Sequence, residues 1–469
     1  MNELLITINR NSPEPLYVQI YKGIKKEIIE GNILTNTSLP SIRKMSEQLQ
    51  VNKTTLEAAY DQLIIEGLIE SKPRSGHYVK EIDIGYFNTH EGNEVLTVEK
   101  KVETKYKYDF NIDHIDVENF PISTWRRLTN EVLSYGTNHI FNTGNSQGEL
   151  GLRREIASYV RNSRGVRCSE EQIIIGSHSQ ILLWMICNLI GLRGKTVAVG
   201  EPGYPHATNI FESFECNIAP TVIEGDGMNE EDLKRSGASL VYTSPSFQFP
   251  FGNIMKIQKR IHLLKWAVQH NAYIVEDDYL SEYRYSGELI PSLQNLDQHE
   301  RVIYMGTFHG TILPAINIGY IVLPKHLLAK YHHSQFELQQ TTSRIAQKTL
   351  ELFMRDGHWE QHRFRMKEIY KKKYKVTLKT IKKCFKEKAI VLKGQTGLHI
   401  VMQVIINQSE QVLLQKARDA NIHLYSLSDY WYRKENNPFK HPVFLIGFGG
   451  MSIDQIEKGI SVLYNTWFN

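Results

Sequence analysis

Val51-Asn52-Lys53-Thr54-Thr55-Leu56-Glu57-Ala58-Ala59-Tyr60 decides how the front of this chain folds. Asn52 is a helix-capping residue type, and Thr54 with Glu57 has the spacing of a capping box. Leu56, Ala59, Tyr60, Leu63 and Ile64 then repeat at helical spacing, and Gly67 supplies a stop. A helix is predicted from about residue 53 to 66. Just upstream, Leu39-Pro40-Ser41-Ile42-Arg43-Lys44-Met45 opens a second helix, with Ser41 as its cap and Met45 and Leu49 four residues apart. Only Gln50-Val51-Asn52 separates the two. Further back, Tyr17 to Glu30 carries Val18, Ile20, Tyr21, Ile24, Ile28 and Ile29 along one side, and Gly31 follows. Downstream, the turn Lys72-Pro73-Arg74-Ser75-Gly76-His77 leads into Tyr78-Val79-Lys80.

Helix, short turn, helix and a glycine-tipped hairpin make a winged helix-turn-helix. In that geometry the start of the third helix faces the major groove. Here Lys53, Thr54 and Thr55 stand there, beside Asn52, with Arg43 and Lys44 near the phosphates. Lys72, Arg74 and His77 lie on the wing. Residues 1–80 hold ten Lys and Arg against nine Asp and Glu, so net charge adds nothing to this reading.

The rest of the chain has a different texture. Residues 81–107 mix charges without apolar periodicity and read as a linker. From 108 onward, short β-branched runs alternate with helical stretches: Gln172–Gly176, Thr196–Gly200, Leu240–Thr243, Tyr273–Glu276 and Val302–Met305. That alternation predicts βαβ units and a mostly parallel sheet covered on both faces. A basic helical stretch from Arg363 to Lys383 and the strand-like Leu398–Met402 suggest a smaller α+β subdomain at the end. The fold class is therefore α/β, with domains expected at 10–80 and 108–469.

With 469 residues, 41% hydrophobic and 23% charged, the composition excludes a disordered, collagenous or coiled-coil chain. The formal charge of +4 permits nucleic-acid binding without demanding it. Four scattered cysteines make no disulfide framework or metal site. Met1–Leu4 shows no secretory pattern, and the apolar run from Ile181 to Leu192 is too short to span a bilayer. A cytoplasmic protein without membrane or metal partners is expected.

The stretches Leu39–Met45, Val51–Tyr60, Glu66-Gly67 and Gly76–Val79 closely resemble the DNA-binding head of GntR-family regulators. The resemblance implies double-stranded operator DNA as partner and Arg43, Lys53, Thr54, Thr55 and Gly76 as contacts. Lys53 stands where many members carry Arg; it keeps the charge without the planar fork. In the large domain, Ser146-Gln147-Gly148, Gly176-Ser177-His178-Ser179-Gln180, Glu201-Pro202-Gly203-Tyr204, Ser244–Gly252, Glu276-Asp277-Asp278-Tyr279 and Gly306–Thr311 follow one another in the order of fold-type I aminotransferases. Head and body together resemble the MocR/GabR subfamily. Its pattern implies that Ser179 and Gln180 hold the phosphate of pyridoxal phosphate and that Tyr204 stacks on its ring. Asp277 would pair with the ring nitrogen, and Gln248 and Tyr279 would bond its hydroxyl.

The sequence departs from that pattern at its reactive positions. The family's Ser-Lys pair falls at His309-Gly310, so no Schiff base can form there. The phosphate-binding Arg falls at Asn317, and the carboxylate-binding Arg at Gly450. A basic pair is replaced by Pro205-His206, and Phe247 stands where many members have His. A non-enzymatic regulator follows, a homodimer by resemblance. Its body is a noncovalent small-molecule sensor or a dimer scaffold. Ser179, Gln180, Tyr204, Gln248, Asp277, Tyr279 and His309 read either as a noncovalent pyridoxal phosphate site or as hydrogen-bonded structure. The alternative is an aminotransferase, or a covalent sensor, using Lys256, Lys259 or Lys325.

Overall fold

The computed structural model describes residues 6–82, 106–134, 138–285, 290–333, 339–392 and 396–468. The expected linker at 81–107 lies almost wholly outside the described residues. The chain divides into two compact units, Met1–Glu103 and Thr104–Asn469.

The first unit contains α1 (Leu16–Ile29), α2 (Ile42–Leu49), α3 (Lys53–Ile65), β1 (Ile69–Lys72) and β2 (Gly76–Val79). The apolar side of each helix points into one core, where Ile20, Ile24, Met45, Leu56, Tyr60 and Leu63 are all but inaccessible to solvent. The Ser41 hydroxyl accepts a bond from the Lys44 amide at 3.3 Å and so caps α2, as expected. Gln50 then adopts the left-handed conformation (φ 51°), which turns the chain sharply into α3. Asn52 occupies the cap position of α3, but its side chain makes no capping bond, so the expected cap and capping box do not form. Its own carbonyl instead accepts the Thr55 and Leu56 amides. The wing is an antiparallel hairpin in which Lys72 faces Gly76. Gly76 has φ +106°, a conformation that a side chain would strain.

The second unit opens with β3 (Tyr108–Asp109), α4 (Ile122–Val132) and α5 (Leu150–Arg164). Then follow β4 (Ile173–Gly176), α6 (Ser179–Ile190), β5 (Thr196–Glu201), α7 (Pro205–Ser213), β6 (Asn217–Glu224) and β7 (Gly227–Met228). After α8 (Glu230–Arg235) come β8 (Leu240–Thr243), α9 (Ile257–Gln269), β9 (Tyr273–Asp277), β10 (Val302–Thr307) and β11 (Gly319–Val322). Among the described residues these strands form one sheet in the order β4-β11-β10-β9-β8-β5-β6-β7. The strands β6, β5, β8, β9 and β10 are parallel, as the alternation predicted. The antiparallel strand β11 intervenes between β10 and β4, so β4 runs in the same sense as the parallel set.

Side chains alternate across this sheet with period two. Ile173 and Ile175 pack with α4, α5 and α11 (Arg344–Arg355) on one face, while Ile174 packs with α6 and α7 on the other. Helices thus cover both faces, and the loops at the carboxyl ends of the strands are left to shape a site.

Helices α10 (Lys325–His333) and α11 pack on the two faces of the large sheet, and the smaller subdomain follows with the long α12 (His358–Phe385), β12 (Ala389–Leu392), β13 (His399–Val404) and α13 (Glu410–Asp419). It ends with β14 (Ile422–His423), β15 (Tyr425–Ser426), β16 (Val443–Gly447) and α14 (Ile453–Phe468). An antiparallel sheet in the order β12-β13-β16-β15 packs against α12, α13 and α14. The predicted basic helix is part of α12. The opening strand β3 pairs with β14, which ties the start of this unit to its end.

Candidate functional site

In the head, Lys53 and Thr54 are exposed at the first turn of α3, and Thr55 is half-buried behind them. Arg43 is 79% exposed and lies 3.1 Å from Glu47 one helical turn away, a pairing weak enough to give way to a phosphate. Lys44, Lys72 and Arg74 are exposed too. The His77 ring meets the buried Tyr60 edge-on at 5.0 Å. It is half-buried and takes part in packing the wing on α3.

In the body, the carboxyl ends of β4, β5, β8, β9 and β10 open onto one cavity with an empty volume of about 970 Å³, open mouth included. Of the residues singled out from sequence, Ser179, Tyr204, Gln248, Asp277, Tyr279 and His309 line it together. Gln180 is not in its wall; the side-chain amide points to His206 at 3.5 Å. Among the described lining residues there is no lysine and no arginine.

One end of the cavity is aromatic and acidic. The Tyr204 and Tyr279 rings lie 27° from parallel with centroids 6.5 Å apart, and Phe249 meets Tyr204 at 5.7 Å. Asp277 ends β9 with its carboxylate at the cavity, accepting a bond from the Tyr242 hydroxyl. Burial pushes the Asp277 carboxyl up to about 7; Asp278 adds to the rise, and Tyr242 opposes it. Gln248 is 2% exposed, yet neither its Oε1 nor its Nε2 has a hydrogen-bond partner within the protein.

Behind this end lies a buried polar frame. Arg164 donates to Asp278 at 2.9 and 3.1 Å and to the Ser246 hydroxyl. Arg260 donates to the carbonyls of Met255, Pro291 and Pro245 at 2.9, 2.6 and 3.3 Å. Arg164 thus locks the segment after β9 to the Ser244–Gly252 loop that carries Gln248, and Arg260 ties the start of that loop to Met255 and Pro291.

The other end is built from histidine and glycine. His178 precedes α6, and its Nδ1 accepts the Gln180 amide at 3.4 Å, so a side chain of the protein already occupies part of that helix N-terminus. Its ring meets that of His309 edge-on at 5.5 Å. Burial lowers the His178 pKa, and the neighbouring His309 and His206 lower it further. His309 Nδ1 is buried without a partner. A Cβ built on Gly310 would lie 2.6 Å from Leu280 Cδ2, so Leu280 fills the space a side chain would enter. Asn317 is exposed and left-handed (φ 49°), and it is not in the cavity wall. A Cβ on Gly450 would lie 2.6 Å from the His114 Cβ.

Sequence reasoning missed Asp113, Tyr242 and the capping role of His178. Asp113 lines the cavity and bonds the Tyr204 hydroxyl; burial raises its pKa, opposed chiefly by His206, His309 and His114. No local pattern marks Asn111-Ile112-Asp113-His114. Tyr242 lies within a β-branched strand run, and only the β8–β9 pairing places it against Asp277.

Residues 16–79 match the family model for bacterial regulatory proteins of the gntR family, and residues 108–430 match that for class I and II aminotransferases. The HTH-type transcriptional regulator YdeL of Bacillus subtilis (strain 168) is 38% identical over 98% of both chains. The probable rhizopine catabolism regulatory protein MocR of Rhizobium meliloti is 29% identical over 98% of this chain and 95% of its own. In fold, the body is similar to the Pyrococcus horikoshii kynurenine aminotransferase solved in complex with PMP. That match has a TM-score of 0.68 at 23% identity and covers 81% of this chain and 95% of the other. The chain belongs to the MocR-type GntR regulators, in which a winged head and a class I and II aminotransferase domain share one polypeptide.

Proposed function

We propose that this DNA-binding regulator reads its operator with Arg43, Lys53, Thr54, Thr55 and the wing tip at Gly76. We propose further that its body works by noncovalent ligand binding or as a dimer scaffold, and not by transamination. A cavity whose described lining residues include no lysine and no arginine carries this reading. An aldehyde cofactor needs a lysine amine for covalent attachment, and a phosphate dianion in a half-buried site needs cations.

Pyridoxal phosphate fits this site at its ring and not at its phosphate. Asp277, Tyr204 and Gln248 suit a pyridine. At the phosphate end His178 uses the Gln180 amide of α6, Asn317 is outside the wall, and Leu280 fills the space above Gly310. Rescue by another lysine has little geometric support. Lys259 is held between Glu224 and Glu230 at 3.1 and 3.3 Å, Lys256 faces Asp226, and Lys325 is exposed at the start of α10. A second copy would cover Ile122, Leu133, Phe141 and Leu150, which the body leaves exposed. Among the described residues no helix is long and apolar enough to cross a membrane, which agrees with a protein working beside DNA in the cytoplasm.

The test is operator affinity. A duplex selected by the wild-type protein from a random pool is titrated at fixed salt. Lys53→Ala and Thr54→Ala are expected to weaken binding about tenfold each, within the ~1–3 kcal/mol of a good base contact. Wild-type affinity in both variants would remove the groove assignment.

A further inference from the structure

We infer that the body cavity selects an unphosphorylated, planar, nitrogen-containing cation of about the size of a substituted pyridine. It would bind with its basic nitrogen on Asp277 and a polar substituent on Gln248. This rests on the noncovalent reading above and names the ligand class for it.

Three observations converge. The first is the sign of the wall: Asp113 and Asp277 both present carboxylates, and among the described lining residues no lysine or arginine answers them. A buried carboxylate without a cation is costly, and burial holds the Asp277 carboxyl at about 7. A bound cation would remove that cost, whereas an added phosphate would repeat it. The second is Gln248. At 2% exposure, an amide whose donor and acceptor are both unpartnered is rare inside a protein. Arg164 and Arg260 hold its loop in place, so the amide is aimed and not merely loose. It offers one donor and one acceptor beside the acidic end. The third is shape. Tyr204, Tyr279, Phe247 and Phe249 supply faces and edges to a flat ligand, and electron-rich rings favour one that carries positive charge.

The far end argues against a phosphate tail by geometry. His178 already takes the Gln180 amide, one of the amides at that helix N-terminus, and His309 approaches His178 edge-on. His309 Nδ1, buried and unpartnered, remains for one neutral polar group.

Two probes separate the terms of this inference: pyridoxamine and its 5′-phosphate, titrated calorimetrically into the full-length protein. Pyridoxamine is expected to bind at least tenfold more tightly than the phosphate ester. Asp277→Asn should weaken pyridoxamine at least tenfold, and Gln248→Leu several-fold. Gln248→Leu keeps the test open if Asp277→Asn fails to fold. Equal or tighter binding of the phosphate ester would overturn the ligand class while leaving a noncovalent sensor standing. No binding of either probe at millimolar concentration would overturn the inference and leave the scaffold reading. Failure of the regulator reading shows separately, as loss of selective operator binding.

Discussion

The acidic end of the cavity and its histidine end are shaped by loops of the same sheet, yet they are built differently. Asp277, Gln248 and the aromatic rings are backed by Arg164 and Arg260, each bonded to two or more distant segments. His178, His309 and Gly310 have no such frame. Leu280 closes one side, and the Gln180 amide at the start of α6 bonds an imidazole. The arginines that remain behind the acidic end hold the fold together, so losing one costs stability as well as function. A lysine that only attaches a cofactor carries no such penalty. A site residue is therefore informative about a ligand when the fold does not itself need it. Asp278, bonded to Arg164, Ser281 and Tyr304, is needed. Asp277, with a raised pKa and a single tyrosine, is not.

The largest effect should come from breaking the frame. Arg164→Ala leaves Asp278 buried without its cation, a change worth about 3–5 kcal/mol. Urea or thermal unfolding should show it directly, with ligand affinity lost as the Ser246–Gln248 segment loosens. Arg164→Lys should recover only part, because one ammonium cannot span Asp278 and Ser246 as the fork does. Wild-type stability in Arg164→Ala would erase the distinction between the two ends.

A smaller effect sharpens the distinction at Asp277. Its pKa in the fold is raised from 3.8 to about 7, first by burial and then by Asp278, against the Tyr242 hydrogen bond. A group whose folded pKa is raised contributes stability below its unfolded value, and loses it as pH rises through the folded one. Asp277→Asn should thus gain on the wild type between about pH 4 and 7, with a plateau above. A difference of a few degrees in melting temperature is expected, since ~1 kcal/mol moves a domain of this size by about 2 °C. Glu276, also raised to about 7, titrates in both proteins and cancels in the comparison. A pH-independent difference, or one of opposite sign, would mean that the Asp277 carboxylate has a cation partner after all.

What was legible in the sequence follows the same division. The sheet strands were readable because residues buried on both faces form short β-branched runs, as in Ile173-Ile174-Ile175. The head was readable from caps and stripes, and the Ser41 cap forms as its residue type suggests. Six lining residues were found through a motif order that only a resemblance supplies. Illegible were the contacts that join distant segments: Asp113 with Tyr204, Tyr242 with Asp277, and Leu280 over Gly310. One local rule also failed: Asn52 leaves α3 uncapped by its side chain.

The smallest expected effect concerns covalent capture, and it tests the histidine end alone. Wild-type protein mixed with pyridoxal phosphate and reduced with borohydride should carry no label beyond that of surface lysines, because none of the described lining residues is a lysine. Gly310→Lys restores an amine at the right point in the chain, but its Cβ meets Leu280 Cδ2 at 2.6 Å. That atom is the end of a flexible side chain, so Leu280 can turn aside at a cost of about 1 kcal/mol for an off-rotamer χ angle. Even then, no arginine among the described lining residues receives the phosphate, and only a small labelled fraction at residue 310 is expected by peptide mapping. Leu280→Ala added to Gly310→Lys should raise that fraction by removing the obstruction, at some cost in stability from the cavity left behind. Full labelling of Gly310→Lys alone would show that the phosphate end still binds without its cations. Labelling of wild type at one buried lysine would place covalent chemistry back in this body, on a residue that approaches the cavity only when the protein moves.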